Sequence, residues 1–320
     1  MTDTASPQLR HYPVTLFAIG MGMLGLTLAI HAAELTYATE AHYSAYVLWV
    51  SVALLAVVSI GYLAKIIRHP DAVKAEWNHP VRIAFFPAIS ISLLLLSAAL
   101  LTDHKAIAGP LWWIGMALQG VLALSVISAW IGHRSFAPVH VSPAWFIPAV
   151  GNVIVPLAGV PLGHTELSWL FFSAGVMFWI VLLTLVINRL MFHDPLPGRL
   201  VPTLVILIAP PSVAFIAWTR LSGGVDSFGH ILLSLAYVFT LIVLTQAPKF
   251  MRLPFALSWW ALSFPIAALS TASFLYGREL QSQSHIVIGT GLLVLLLIIV
   301  GGLLARTALA VRRGQICQPE

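Results

Sequence analysis

Long apolar runs alternate with short polar punctuation along almost the whole chain. Bounded by charge, proline or glycine, they fall at roughly 13–31, 43–66, 84–101, 109–131, 144–162, 167–191, 201–219, 228–247, 255–276 and 286–308. Each is close to the ~20 residues that a helix needs to cross a hydrocarbon core. The runs are continuous rather than alternating, which disfavours a β-barrel. Backbone amides in lipid must be satisfied within their own segment, so each run predicts a helix. The fifth is interrupted by Pro143, Pro148, Pro156 and Pro161, and the seventh by Pro202, Pro210 and Pro211. The pattern predicts an all-α polytopic membrane protein with ten transmembrane helices. Residues 1–320 form one transmembrane domain with short tails at about 1–12 and 309–320.

The pattern also repeats. Pro87, Pro148, Pro210 and Pro265, near the middles of odd helices, are separated by 61, 62 and 55 residues. Each interval holds a proline-broken helix, an acidic turn, a smoother helix and a basic turn, and the even helices are expected to hold no proline within their runs. Such a period predicts five stacked helical hairpins. The first hairpin has Gly20, Gly22 and Gly25 where the others have a proline. A proline inside a helix removes a hydrogen bond and bends the axis, which a membrane tolerates where neighbours or a water-filled path satisfy the freed groups. Breaks at matching places predict that the odd helices surround a pathway and the even helices face lipid.

Composition narrows the class. Only 8% of residues are charged, against about 25% in a soluble domain, while 59% are hydrophobic and the mean hydropathy is +0.95. A soluble enzyme and a large extramembrane domain are excluded. The net charge of +5 is not gathered into a basic face, so no nucleic-acid partner is expected. Cys317 is the only cysteine, which leaves neither an intrachain disulfide nor a thiolate metal site. The polar N-terminus lacks the cationic start and small-residue cleavage site of a signal peptide, so the first run is expected to be a retained span. Connections after odd helices carry three of the 16 basic residues, Lys105, Arg220 and Arg278, with the acids Glu34, Glu40, Asp103, Glu166, Asp226 and Glu279. The other 13 lie in the termini and the connections after even helices, which places both termini in the cytoplasm.

No charge falls mid-span, whereas proton- or sodium-coupled transporters usually carry one there. A pathway between the odd helices would hold no fixed charge. Its polarity would come from bent backbone, small residues and polar groups such as Thr15, Ser90, Ser92, Asn152, Ser212 and Ser270. It would pass weakly hydrated anions most easily, helped by peptide dipoles and a basic cytoplasmic rim. The histidines, His11, His31, His42, His69, His79, His104, His133, His140, His164, His193, His230 and His285, lie in loops or at helix ends without an i, i+4 pair. They predict no metal site, and nothing calls for a cofactor. Aromatic residues recur beside the breaks, at Phe17, Phe85-Phe86-Pro87, Phe146, Phe215 and Phe264-Pro265. Most read as packing. Phe264 directly precedes a proline, and a ring there could close a narrow pore by steric block or dewetting. The candidate site is therefore a gate at Phe264, with Phe17, Gly22, Phe86, Pro87, Phe146, Pro148, Pro210, Phe215, Pro265 and Ser270 lining the pathway.

Three stretches carry a resemblance: YPVTLFAIGMGMLGL at 12–26, EWNHPVRIAFFPAISIS at 76–92 and PFALSWWALSFPIAALS at 254–270. The chain resembles the tellurite-resistance/dicarboxylate transporter family, which includes bacterial TehA and the slow anion channels of plant guard cells. The resemblance runs over essentially the whole chain. It implies five hairpins around a central pore in each protomer, a homotrimer, and passage of small monovalent anions such as chloride and nitrate. It also implies that a ninth-helix phenylalanine, here Phe264, occludes the pore. Two departures stand out. Many members have Phe-Gly in the first helix where this chain has Phe17-Ala18, and the long cytosolic tails of the plant channels are absent. A bacterial inner-membrane protein without kinase gating is expected. The competing reading is a carrier or exporter of tellurite, sulfite or a C4-dicarboxylate, and a dicarboxylate carrier would be expected to offer a cationic site. An enzyme would need a convergent His, Asp or Cys set, and none is present.

Overall fold

Every regular element is helical in the computed structural model, which describes residues 6–132, 136–250 and 252–318. His133, Arg134 and the ends of both tails, which entered the charge and histidine readings, lie outside the described residues. The principal helices are α1 (Phe17–Tyr37), α2 (Tyr43–Arg68), α3 (Ala88–Leu100), α4 (Lys105–Ile131) and α5 (Phe146–Gly159). They continue with α6 (Thr165–Phe192), α7 (Ala209–Ser222), α8 (Ser227–Leu244), α9 (Ser263–Glu279) and α10 (Gln283–Arg312). Among the described residues, eight helical segments are long and apolar enough to cross a membrane, and Pro143–Gly159 is apolar but shorter.

The two sets of helices differ in what they bury. In Val14–Tyr37, Arg82–Leu100 and Gly198–Ser222, 72, 78 and 83% of the most apolar stretch is buried. In α2, α4, α6, α8 and α10 the shares are 28, 33, 28, 33 and 22%. The outer helices expose Trp49, Ile60, Leu124, Ile180, Leu241 and Ile298, a surface that suits lipid rather than water. Each odd helix packs on the even helix that follows it. The odd helices also contact one another in the order α1, α3, α5, α7, α9 and back to α1, so they close a ring.

Each odd helix begins with a 3₁₀ segment: Val14–Leu16, Arg82–Phe85, Pro143–Trp145, Gly198–Ile208 and Leu257–Leu262. The prolines expected to kink these helices near their middles sit at the junction instead. Pro87 is the N-cap of α3, Pro148 the third residue of α5, Pro210 the second of α7 and Pro265 the third of α9. A first-turn amide has no intrahelical partner, so proline fits there without breaking the helix. The break is a change of helix type rather than a mid-span kink. The even helices are not free of proline either, because Pro110 lies inside α4.

Candidate functional site

The odd helices start at one end of the ring, and their 3₁₀ segments widen that end into a cavity of about 700 Å³. A second cavity of about 110 Å³ lies toward their C-terminal ends. The wall is a set of stripes at three- and four-residue spacing, the period of one helix face. The α1 stripe runs Ala18, Met21, Gly25, Leu28, Ala32 and Leu35. Ile91, Leu95 and Ala98 come from α3, and Ile147, Val150, Ile154 and Leu157 from α5. Ala209, Val213, Ile216 and Arg220 come from α7, and Phe264, Ala268, Thr271, Leu275 and Arg278 from α9. Phe264 is the one residue that belongs to the walls of both cavities.

The position of Phe264 follows from its surroundings. It is the second residue of α9, after the 3₁₀ turn Leu257–Leu262. Ser263 is wholly buried and donates its hydroxyl to the Trp260 carbonyl at 2.6 Å, which fixes the junction. Glycines let α1 approach. A Cβ on Gly22 would overlap the Ser263 hydroxyl, and one on Gly25 would lie 3.0 Å from Ala267 Cβ and 3.3 Å from Phe264 Cδ2. The wall on either side of the ring is mostly apolar, and Phe264 is 8% exposed.

Charge is confined to the two ends. The pathway does not lack fixed charge, as the sequence had suggested, because basic side chains line both cavities beyond the apolar middle. Arg10, Lys65, Arg82 and Arg199 line the larger one, with Asp71 and Glu76. Lys65 and Glu76 form a buried ion pair at 2.7 Å, 2% and 3% exposed. The Lys65 ammonium also donates to the Tyr12 carbonyl at 2.8 Å. Glu76 accepts from the Tyr62 hydroxyl at 3.0 Å and the Val14 amide at 3.1 Å. This knot ties the start of α1 to α2 and to the short helix Pro70–Asn78. Burial, with Cys317 close by, pushes the Tyr12 phenol up to about 12. Burial likewise raises the Cys317 thiol, against an opposing pull from Lys65. His31, Arg220 and Arg278 line the smaller cavity, and His31 sits inside α1 rather than at its end. Among the described residues no three His, Cys, Asp or Glu side chains come together as a metal site.

Of the residues singled out in the sequence, Phe264, Pro265 and Phe146 line a cavity. The other eight fall outside both linings and lie in helix contacts. The Phe17 ring meets Tyr62 edge-on at 5.6 Å, and the Phe86 ring meets Trp77 at 4.9 Å. Gly22 faces Ser263, and Phe215 meets Tyr276 at 6.1 Å. The Pro87 carbonyl accepts from Ser90 and the Pro148 carbonyl from Gln119, Pro210 is buried in the first turn of α7, and Ser270 donates to the Gly289 carbonyl. Of the polar groups proposed for the lumen, Thr15 lines the larger cavity. Ser92 donates to a carbonyl of its own helix and Ser212 to the Ile208 carbonyl at the end of the preceding 3₁₀ segment, whereas Ser90 and Asn152 are tied to the buried Gln119 of α4.

A ring of apolar helices, with cations at both ends and a phenylalanine between two cavities, defines a membrane anion channel or transporter. The family model described as voltage-dependent anion channel, SLAC1, matches residues 11–308, and the chain belongs to that family. It is 31% identical over 289 residues to the S-type anion channel SLAH2 of Arabidopsis thaliana, covering 87% of this chain and 55% of that one. It is 27% identical over 334 residues to the uncharacterized transporter MJ0576 of Methanocaldococcus jannaschii, covering 96% of each. It is 28% identical over 277 residues to the tellurite resistance protein TehA homolog of Haemophilus influenzae, covering 85% and 84%. The chain spans about half the length of the plant channels SLAH2 and SLAH3.

Proposed function

We propose that the protein is an anion channel that passes small monovalent anions, chloride and nitrate, along the axis of the odd-helix ring, with Phe264 as the gate. On this reading the ten helices α1–α10 cross the plasma membrane of a bacterium as five hairpins, with both termini in the cytoplasm, and the protomers assemble as a trimer. The observation that carries the reading is the place of Phe264 between the two cavities. Helix N-termini converge on the larger cavity and add positive potential to its basic side chains. An apolar wall offers nothing that replaces a hydration shell, so the ring closes the path without metal or counter-ion.

Five matched relatives are S-type anion channels by name, which supports a channel. The name of the Haemophilus influenzae relative supports the second reading, a carrier for an oxyanion such as tellurite. Planar-bilayer recordings of the purified full chain and of Phe264→Ala decide between them. A channel gives unitary anion current that rises in the variant, whereas a carrier gives no unitary current in either.

A further inference from the structure

The smaller cavity has a chemistry that the gate does not explain. Arg220 and Arg278 occupy the last turns of α7 and α9, and both line this cavity together with His31. Arg220 is open to solvent and Arg278 half-buried. The two side chains are like charges on the wall of one cavity. Among the described residues neither has a carboxylate within ion-pair distance. Two of the six carboxylates of this end are engaged elsewhere. Glu34 accepts from the Ser44 amide at 2.8 Å and lies 3.7 Å from His31, and Asp226 accepts from Trp218 Nε1 at 2.7 Å and the Gly229 amide at 2.9 Å.

Two like charges around one cavity repel each other, less where Arg220 is open to water, and an anion held between them relieves what remains. The C-terminal ends of the odd helices converge here, each equivalent to roughly half a negative charge that fades within a turn. They offset part of the repulsion, and by themselves they would turn anions away. A volume of about 110 Å³ far exceeds the ~10–15 Å³ that admits one water. We propose that this cavity is an anion-binding site in which Arg220 and Arg278, at its end away from Phe264, hold a small planar oxyanion of the nitrate class. The planar guanidinium presents paired N–H donors that match two oxygens of such an anion, and a spherical halide cannot use both in that way. The inference rests on the anion-channel reading and gives it a loading site outside the gate.

The test uses the purified full chain, with sodium nitrate and sodium chloride exchanged against a bulky organic anion at constant ionic strength. Binding to the folded state raises the unfolding midpoint with ligand concentration. The wild-type midpoint rises more with nitrate than with chloride, and the Arg220→Gln/Arg278→Gln variant loses the rise. The Arg220→Lys/Arg278→Lys variant keeps the charges without the fork, so it keeps a rise but loses the preference for nitrate. In a Phe264→Ala background, the glutamine pair lowers anion current entering from the Arg220 side by at least ~10-fold at low salt and little at 1 M salt, where the screening length is about 3 Å. Equal nitrate shifts in wild type and the glutamine pair, or none in wild type, overturn the site. If the glutamine pair does not fold, a nitrate preference that survives in the lysine pair overturns it. Anion current through Phe264→Ala without a nitrate shift removes this site and leaves the channel standing. A nitrate shift without anion current removes the channel and leaves the site.

Discussion

The Phe264 ring lies against Gly25 across the contact between α1 and α9. A methyl group on Gly25 would come within 3.3 Å of Phe264 Cδ2 and 3.0 Å of Ala267 Cβ. Gly25→Ala therefore overpacks this contact and costs about 1–3 kcal/mol. In a Phe264→Ala background the ring is gone and the cost falls, so the two substitutions couple by about 0.5 kcal/mol or more. A double-mutant cycle on unfolding midpoints measures this. Equal costs in both backgrounds would place the ring elsewhere.

The ion pair of Lys65 and Glu76 predicts an asymmetric response. Glu76→Ala strands a buried ammonium and costs about 3–5 kcal/mol. Replacing both, as Lys65→Met/Glu76→Leu, recovers most of that loss because no charge is left unpaired. Denaturant titration of the three proteins checks the order. A Glu76→Ala protein as stable as wild type would mean that water reaches the pair.

Cys317 reports both topology and pH. Burial holds its thiol above the ordinary 9.0, so the thiolate fraction at pH 8 is smaller than in a free thiol. Labelling of the purified protein by a maleimide is therefore slow at pH 8, and it accelerates as pH rises toward the raised value. In intact cells a membrane-impermeant maleimide should reach Glu40→Cys and Gln281→Cys but not Cys317. Labelling of Cys317 from outside would invert the proposed orientation.

Hydropathy made the helical segments legible, because a run without charge has few alternatives to a helix in lipid. The ring geometry was less legible. Every residue of α5 from Phe146 to Gly159 is buried, so nothing in its composition separates Val150, on the cavity wall, from Pro148, which faces Gln119. Prolines marked the junctions, yet whether a proline ends a 3₁₀ turn or kinks an α-helix depends on where the hydrogen-bond pattern changes. Serines looked like lumen polarity although Ser92 and Ser212 bond back to the backbone carbonyl four residues before them. Arg220 and Arg278 read as loop charges, and only the convergence of α7 and α9 makes them neighbours.

Selectivity follows from the mostly apolar wall around Phe264 and the cations at both ends. Cations should hardly pass, since Arg82 and Arg199 face one cavity and Arg220 and Arg278 the other. Among anions, the cost of dehydration in the apolar middle favours nitrate over chloride. Reversal potentials of Phe264→Ala under a salt gradient test both statements. A reversal at the cation equilibrium potential would eliminate the anion reading.

The gate gives the most direct test. Phe264 has open volume on both sides along the axis, so removing its ring joins two cavities without collapsing a packed core. Phe264→Ala should raise anion conductance on the order of tenfold or more, because the dry constriction disappears. Its stability loss should stay below the ~3–5 kcal/mol typical of a fully packed phenylalanine. Phe264→Leu should give a smaller rise, since a branched aliphatic chain still fills part of the lumen. Phe274, on the same helix, supplies the contrast. It is wholly buried, meets Tyr37 edge-on at 6.3 Å and packs against Gly289. Phe274→Ala should lose about 3–5 kcal/mol and gain little current. Bilayer conductance and unfolding midpoints, read on the same preparations, separate the two roles. If Phe264→Ala loses as much stability as Phe274→Ala and adds no current, Phe264 is a packing residue and the gate lies elsewhere.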